Sequence, residues 1–127
     1  MSRVVLALDD DPIALEVTQF YLEEIGCEVI TASNPHEALE ILATNRRIEM
    51  LITDIQMDPM DGYEVAERAK RMRPELFIIF ASGRGEGVAG IPLIQKPFTC
   101  EQLSQLIERA TKSVEVEWHQ SINDSDQ

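Results

Sequence analysis

Cysteine is scarce in this sequence of 127 residues, which contains only Cys27 and Cys100. Two isolated cysteines are too few for a disulfide framework or a zinc site, because both need several cysteines at short spacings. We therefore expect both to be packing residues in a protein from a reducing compartment.

Long apolar segments are lacking as well. The first apolar run, residues 4–8, is too short for the core of a signal peptide, and no run approaches the roughly 18 residues that span a bilayer. Basic residues are few, since 11 Lys and Arg face 23 Asp and Glu for a net charge of −12. Such a charge repels nucleic-acid phosphates and anionic membranes. We expect a soluble, cytoplasmic protein that binds neither nucleic acid directly nor a membrane.

The sequence does contain a regular alternation of short apolar runs with segments of helical period. The runs predict β-strands at about residues 4–8, 28–31, 48–53, 76–81 and 93–95. Helices are predicted between and after them, beginning near residues 12, 35, 62 and 99. Continuous apolar runs are typical of parallel strands covered on both faces, and the alternation is typical of βαβ units. We predict an α/β fold with a doubly wound, five-stranded parallel sheet.

The connection between the last two predicted strands breaks this rhythm. Residues 83–92 contain four glycines, each of which costs a helix about 1 kcal/mol relative to alanine. We expect a loop or a single turn, so that the fourth helix of the fold is shortened or missing. One domain is assigned to residues 1–112, and residues 113–127 to the end of the last helix, near residue 117, and an acidic, disordered tail. Trp118 either packs on that helix or contacts a partner.

Chemically reactive side chains stand at the carboxyl ends of the predicted strands. Asp9 and Asp10 follow the first strand, Asp54 the third, Ser82 the fourth and Lys96 the fifth. Open parallel sheets bind ligands outside these ends, so the groups are expected to meet. Crowded carboxylates repel one another unless a cation neutralises them, and an all-oxygen ligand set suits Mg²⁺ or Mn²⁺. A metal beside a lysine suits phosphoryl transfer, with Asp54 as the candidate nucleophile.

Five short motifs around these residues resemble the receiver domain of two-component response regulators. They are Leu6-Ala7-Leu8-Asp9-Asp10-Asp11-Pro12, Leu51-Ile52-Thr53-Asp54-Ile55-Gln56-Met57, Met60-Asp61-Gly62, Ala81-Ser82-Gly83 and Gln95-Lys96-Pro97-Phe98. Each motif alone is weak, but together they follow the family's order over roughly residues 3–111. The resemblance implies a CheY-like, flavodoxin-like fold, and we expect a stand-alone, single-domain regulator.

The resemblance implies a role for each matching acidic residue. Asp54 corresponds to the phosphoacceptor, which takes a phosphoryl group from a histidine kinase or a histidine phosphotransfer protein. Asp9 and Asp10 correspond to the acidic pair that holds Mg²⁺. Asp54 itself and the backbone carbonyl of Gln56 complete the family's protein ligands to the metal.

Ser82 and Lys96 correspond to the remaining active residues of the family. Ser82 matches the switch hydroxyl that turns toward a phosphoryl oxygen, and Lys96 matches the lysine that pairs with it. The Lys96–Pro97 bond is cis in the family, which aims Lys96 inward. Gln56 and Arg84 occupy the positions that tune water access in the family, so the lifetime of the phosphorylated form stays open.

The sequence also departs from the family's pattern. Asp58 stands where the family usually has proline, with Pro59 one residue later, and adds a carboxylate near the site. Leu93 replaces the aromatic residue three positions before the lysine. The short segment 83–92 removes much of a face through which many receivers dimerise or meet partners. The mechanism of output therefore stays open.

These observations support one leading hypothesis and leave others open. The leading hypothesis is a phosphorylation switch that changes affinity for a downstream protein and assists its own phosphorylation without being a conventional enzyme. The second is a constitutive interaction module that keeps the fold but is not phosphorylated. The third is a metal-dependent phosphohydrolase, for which Asp58 is the only sign of a second acid. The fourth is a receiver detached from a hybrid kinase, since such receivers also have a short, glycine-rich fourth crossover.

Overall fold

A parallel sheet of five strands forms the centre of the structure, a computed structural model that describes residues 3–88 and 90–109. The strands are β1 (Val4–Leu8), β2 (Glu28–Ala32), β3 (Met50–Thr53), β4 (Phe77–Ser82) and β5 (Leu93–Gln95). They lie in the order β2-β1-β3-β4-β5, and all neighbours are parallel. The strand order reverses between β1 and β3, which marks the edge where such sheets bind ligands. The predicted fold class is confirmed.

The helices begin where the sequence places capping residues. They are α1 (Pro12–Ile25), α2 (Pro35–Thr44), α3 (Gly62–Met72) and α4, which the structure describes over residues 100–109. The side chains of Asp11, Asn34 and Asp61 each accept a backbone N–H of the first turn that follows. At α4, Thr99 Oγ1 accepts the N–H of Gln102 at 3.1 Å while Gln102 Oε1 accepts the N–H of Thr99 at 2.8 Å. These two bonds form a reciprocal capping box.

The helices cover both faces of the sheet. One apolar cluster joins alternate strand residues to α2 and α3, through side chains such as Leu42, Val65 and Phe80. The other joins the remaining strand residues to α1 and α4, through Leu22 and Leu103. All five residues of β1 are buried, as expected for a central strand covered on both sides.

The connection from β4 to β5 is a loop that is held by side chains of other elements. None of its described residues, 83–88 and 90–92, is helical, which confirms that the fourth helix of the fold is missing there. Val88 and Ile91 form a short antiparallel bridge, with N···O distances of 3.2 and 2.9 Å. The rest of the loop is held by a contact from α3 that no sequence pattern indicated.

That contact is made by Tyr63. Its hydroxyl donates to the carbonyl oxygen of Glu86 and accepts the N–H of the same residue, both at 3.0 Å. Its ring packs edge-on against Phe80, with centroids 5.1 Å apart. Gly85 lies between these groups at φ +104°, where a Cβ would come within 2.8 Å of Ile55 Cδ1 and 2.9 Å of the Tyr63 hydroxyl. The loop is thus closely packed on α3 and on the segment after β3.

The opposite end of the sheet is fastened by Arg73. Its guanidinium donates to the carbonyl oxygens of Asn45 at 3.1 Å, Arg46 at 3.2 Å and Ile48. The side chain is 14% exposed. Because these bonds join the end of α3 to the segment before β3, we expect Arg73→Met to lower the free energy of unfolding by about 2 kcal/mol, measured by urea denaturation.

Arg71 offers a matched control on the same helix. Its side chain is 75% exposed and pairs with Glu67 one turn away. Exposed pairs of this kind contribute little, so Arg71→Met should change the free energy of unfolding by no more than about 0.5 kcal/mol. Equal losses in the two variants would show that the carbonyl contacts of Arg73 do not carry the effect.

The end of the chain lies outside this description. The predicted continuation of the last helix to residue 117, the tail 113–127 and the placement of Trp118 all concern residues that the structure does not describe. Among the helices that are described, none has the length and apolar character needed to cross a bilayer.

Candidate functional site

The predicted reactive residues meet at the carboxyl end of the sheet. Asp9 directly follows β1, Asp54 directly follows β3, and Lys96 directly follows β5. Ser82 is the last residue of β4, and its carbonyl oxygen accepts the N–H of Lys96 at 2.9 Å. Parallel pairing in register thus brings side chains from distant parts of the chain to one edge.

Three carboxylates form the centre of the site. Asp9, Asp10 and Asp54 each contribute an oxygen, and these oxygens lie within 4.8 Å of one another. Asp9 is 4% exposed and Asp54 is 9% exposed, whereas Asp10 is open to solvent. An all-oxygen set of crowded carboxylates, partly buried and open on one side, fits a hard divalent cation that keeps some of its water. The acidic pocket can therefore bind a metal ion.

The burial of Asp9 affects the pKa of its carboxyl group. Loss of solvent raises the pKa of this carboxyl above its ordinary value of 3.8, and the nearby charge of Asp54 adds to that effect. The Lys96 ammonium and the N–H of Asp11, 2.9 Å from Asp9 Oδ1, oppose the rise without cancelling it. The carboxylates of the site therefore repel one another, and a bound cation would relieve that repulsion.

Lys96 joins two of the carboxylates. Its Nζ lies 2.5 Å from Asp9 Oδ2 and 3.6 Å from Asp54 Oδ2. The peptide bond from Lys96 to Pro97 is cis, as the resemblance implied. The side chain of Lys96 is 23% exposed, so its ammonium stands at the rim of the pocket with access to a group that enters from solvent.

The backbone around Asp54 is closely supported. Asp54 Oδ1 accepts the N–H of Ile55 at 2.8 Å, and Thr53 Oγ1 donates to the Asp54 carbonyl oxygen at 2.9 Å. Gly62, at the start of α3, donates its N–H to the carbonyl oxygen of Ile55 at 2.8 Å. A Cβ on Gly62 would lie 2.1 Å from the Asp54 carbonyl oxygen. Asp61-Gly62 does lead into the third helix as predicted, and the structure adds the reason for glycine.

Ser82 is engaged by Gln56. The Ser82 hydroxyl, on a residue with 0% exposure, donates to Gln56 Oε1 at 2.5 Å. Gln56 Nε2 in turn donates to the Arg84 carbonyl oxygen at 3.4 Å, and the Arg84 N–H lies 3.4 Å from Ser82 Oγ. The resemblance implied a role for the backbone carbonyl of Gln56 as a metal ligand, but no sequence pattern indicated this contact of its side chain.

The residues that depart from the family's pattern lie outside this group. Asp58 is exposed, and the carboxylate cluster found among residues 3–88 and 90–109 does not include it. The carboxyl group of Asp58 is thus not brought into the pocket as a second acid. Leu93 is half-buried and packs against the apolar cluster on the α2 and α3 side of the sheet.

Comparison with known proteins agrees with this geometry. A family model, the response regulator receiver domain, matches residues 5–108. The autoinducer 1 sensor kinase/phosphatase LuxN of Vibrio campbellii is 30% identical over 95 residues, which are 75% of this chain and 11% of LuxN. The transcriptional regulatory protein AruR of Pseudomonas aeruginosa is 35% identical over 88 residues, 66% of this chain and 36% of AruR. The chain thus spans well under half of either relative.

Solved structures match over nearly the whole fold. The CheY-like response regulator receiver domain protein of Methanospirillum hungatei superimposes with a TM-score of 0.82 at 27% identity, covering 92% of this chain and 99% of that one. The chain belongs to the response regulator receiver domain family.

Proposed function

We propose that this chain takes a phosphoryl group onto Asp54 from a histidine kinase or a histidine phosphotransfer protein and thereby changes its affinity for a downstream protein. One observation carries the proposal. The Lys96 ammonium lies within reach of both Asp9 and Asp54, beside the cluster of three carboxylates at the carboxyl edge of the sheet. This arrangement combines a nucleophile, a cation site and a fixed positive charge.

The residues that would hold the metal are Asp9, Asp10, Asp54 and the backbone carbonyl of Gln56. We propose Mg²⁺ for this site, with Mn²⁺ as a substitute of similar ligand preference. When bound, the ion neutralises the crowded carboxylates and the negative charge that develops on the phosphoryl oxygens.

The chain's own residues account for the rest of the transfer. A carboxylate oxygen of Asp54 forms a bond to phosphorus while the phosphorus–nitrogen bond of the phosphohistidine breaks, and the electron pair stays on the imidazole. Lys96, already beside Asp54, offsets charge on one phosphoryl oxygen, and the Ser82 hydroxyl donates to another.

The proposal also defines what the chain does with other proteins. It assists its own phosphorylation and dephosphorylation but turns over no separate substrate, so it is not a conventional enzyme. Because the phosphoryl group comes from another protein's histidine, the two must share a compartment, for which we propose the cytoplasm. LuxN, which matches this chain over 95 residues, is itself named a sensor kinase/phosphatase, and this supports a kinase partner.

The proposal is tested by incubating the protein with acetyl phosphate, with Mg²⁺ or with EDTA, and measuring the intact mass. We expect a gain of one phosphoryl mass that requires Mg²⁺. A protein that stays unmodified while a known receiver is labelled would overturn the proposal. Release of phosphate in that case would favour a phosphohydrolase, and no release would favour a constitutive interaction module.

Metal affinity should depend on pH through Asp9. A metal binds the ionised carboxylate, so protonation of Asp9 competes with it, and the raised pKa moves this competition to higher pH than for an ordinary aspartate. We expect Mg²⁺ affinity to fall by about tenfold for each pH unit below the pKa of Asp9 in the folded protein. Titrating Mg²⁺ at a series of pH values from neutral down to the ordinary pKa of an aspartate, with the Ile55 amide followed by NMR, measures this.

The same shift predicts the stability of the metal-free protein. Since the pKa of Asp9 is higher in the folded than in the unfolded chain, its ionisation lowers stability as pH rises from about 3.8 through the folded value. Asp9→Asn should remove this component, so that the metal-free variant loses less stability than wild type over that range. Identical pH profiles of unfolding for the two proteins would contradict the assignment.

A further inference from the structure

A closed set of hydrogen bonds occupies the Ser82 hydroxyl. Ser82 Oγ donates to Gln56 Oε1 at 2.5 Å, and Gln56 Nε2 donates to the Arg84 carbonyl oxygen at 3.4 Å. The Arg84 N–H closes the set at 3.4 Å from Ser82 Oγ. The serine is buried, whereas the glutamine is exposed. Gln56 therefore takes the one proton that the hydroxyl can offer.

A serine hydroxyl carries a single hydrogen and can donate it to one acceptor at a time. In the proposed function, the Ser82 hydroxyl donates to an oxygen of the phosphoryl group on Asp54. Gln56 Oε1 and that phosphoryl oxygen therefore compete for the same proton. Whatever stabilises the bond to Gln56 disfavours the phosphorylated arrangement by the same free energy, because the two states exclude each other.

We propose that Gln56 is a positioning residue that holds the Ser82 hydroxyl away from the acceptor site and has to release it when Asp54 is phosphorylated. The inference rests on the proposed function, because it concerns the same hydroxyl. It assigns to the Gln56 side chain a role separate from that of its backbone carbonyl.

Loss of the hydrogen bond between Gln56 and Ser82 affects a defined part of the loop that replaces the fourth helix. Gln56 fastens this loop at Arg84, and Tyr63 fastens it at Glu86 through two bonds of 3.0 Å. When the hydrogen bond between Gln56 and Ser82 breaks, the Gln56 amide loses the contact that fixes its position and no longer holds the Arg84 carbonyl oxygen. The hydrogen bonds between Tyr63 and Glu86 are unaffected. The change is therefore confined to the segment between Ser82 and Glu86.

The first test compares the binding of beryllofluoride, a phosphoryl mimic, at saturating Mg²⁺. Gln56→Met keeps the length of the side chain and the backbone carbonyl but removes the acceptor. We expect beryllofluoride to bind about two- to tenfold more tightly to this variant than to wild type, the range of one net hydrogen bond. The Ile55 amide, which is bonded to Asp54 Oδ1, reports binding by NMR. Gln105→Met makes the same change on an exposed position of α4 and should bind like wild type.

A double-mutant cycle separates proton competition from a simple opening of the pocket. Ser82→Ala removes the contested proton, so Gln56→Met should bring no further gain in that background. An equal gain with and without the hydroxyl would mean that the Gln56→Met change acts by clearing space, and would overturn the inference. Unchanged or weaker binding by Gln56→Met alone would overturn it as well.

A second readout follows the side-chain amide of Gln56 directly. The side-chain amide signals of Gln56 should shift when Ser82 is replaced by alanine in the metal-free protein, and should shift again when beryllofluoride and Mg²⁺ are added to wild type. The absence of either of these two shifts would overturn the inference. If the wild type failed to bind beryllofluoride, both the proposed function and the inference would be overturned. If it bound beryllofluoride with an affinity that did not depend on the Gln56 side chain, only the inference would be overturned.

Discussion

Replacing Asp54 by asparagine should abolish the Mg²⁺-dependent gain of a phosphoryl group from acetyl phosphate. Asparagine has the size of aspartate and keeps an oxygen that can accept the Ile55 N–H, which lies 2.8 Å from Asp54 Oδ1. It lacks the negative charge that makes the carboxylate a nucleophile. We expect the adduct to fall below detection by intact-mass measurement while the fold is retained, because Lys96 keeps its 2.5 Å contact with Asp9.

Asp58→Asn is the matched control for this experiment. Asp58 is exposed and stands four positions after Asp54, outside the carboxylate cluster, so the variant should be labelled to the same extent as wild type. An adduct on the Asp54 variant would place the acceptor elsewhere. Loss of labelling in the Asp58 variant would revive the phosphohydrolase hypothesis, in which this carboxylate acts as a second acid.

The second large effect is expected from Gly62→Ala. The added methyl would lie 2.1 Å from the carbonyl oxygen of Asp54 and 2.8 Å from the Cα of Ile55. Both neighbours are backbone atoms held by hydrogen bonds, so they cannot turn aside as a flexible side chain could. We expect the free energy of unfolding to fall by at least about 3 kcal/mol, measured by urea denaturation.

Gly83→Ala makes the same change where it should be harmless to the fold. Among the described residues, and leaving aside the two chain neighbours of Gly83, no atom lies within 4 Å of a Cβ built on it, and its φ is not positive. Its stability should stay within about 1 kcal/mol of wild type. If the two alanine variants were equally stable, the close approach of α3 to Asp54 would not be a constraint on the fold.

Most of the fold follows from local patterns in the sequence. The apolar runs predicted strands such as β1 and β5, and the segments of helical period predicted helices beginning near residues 12 and 35, because both signals act over a few neighbouring residues. The third strand was predicted to begin at residue 48 but begins at Met50. Ile48 is buried and apolar like a strand residue, but its carbonyl oxygen accepts a bond from Arg73. Only the folded chain brings that guanidinium there.

The site likewise contains residues that the sequence predicts and contacts that it does not. Asp9, Asp54 and Lys96 could be predicted because a parallel sheet places the carboxyl ends of all its strands at one edge, whatever their separation in the chain. The contacts of Gln56 and Tyr63 could not, since they join residues 26 and 23 positions apart through side-chain geometry that no local pattern encodes. Gly62 lies at a predicted helix start, but its closeness to Asp54 depends on how α3 packs.

The short connection after β4 has a further consequence for the edge of the sheet. Phe80 pairs with Leu93 only thirteen positions later, whereas Met50 and Phe77, the corresponding pair of β3 and β4, are twenty-seven apart. Halving a loop lowers the entropy cost of closing it by about 0.6 kcal/mol. The tether thus raises the effective concentration of β5 beside β4. A strand of three residues can therefore keep its register there, and with it the position of the ammonium that follows.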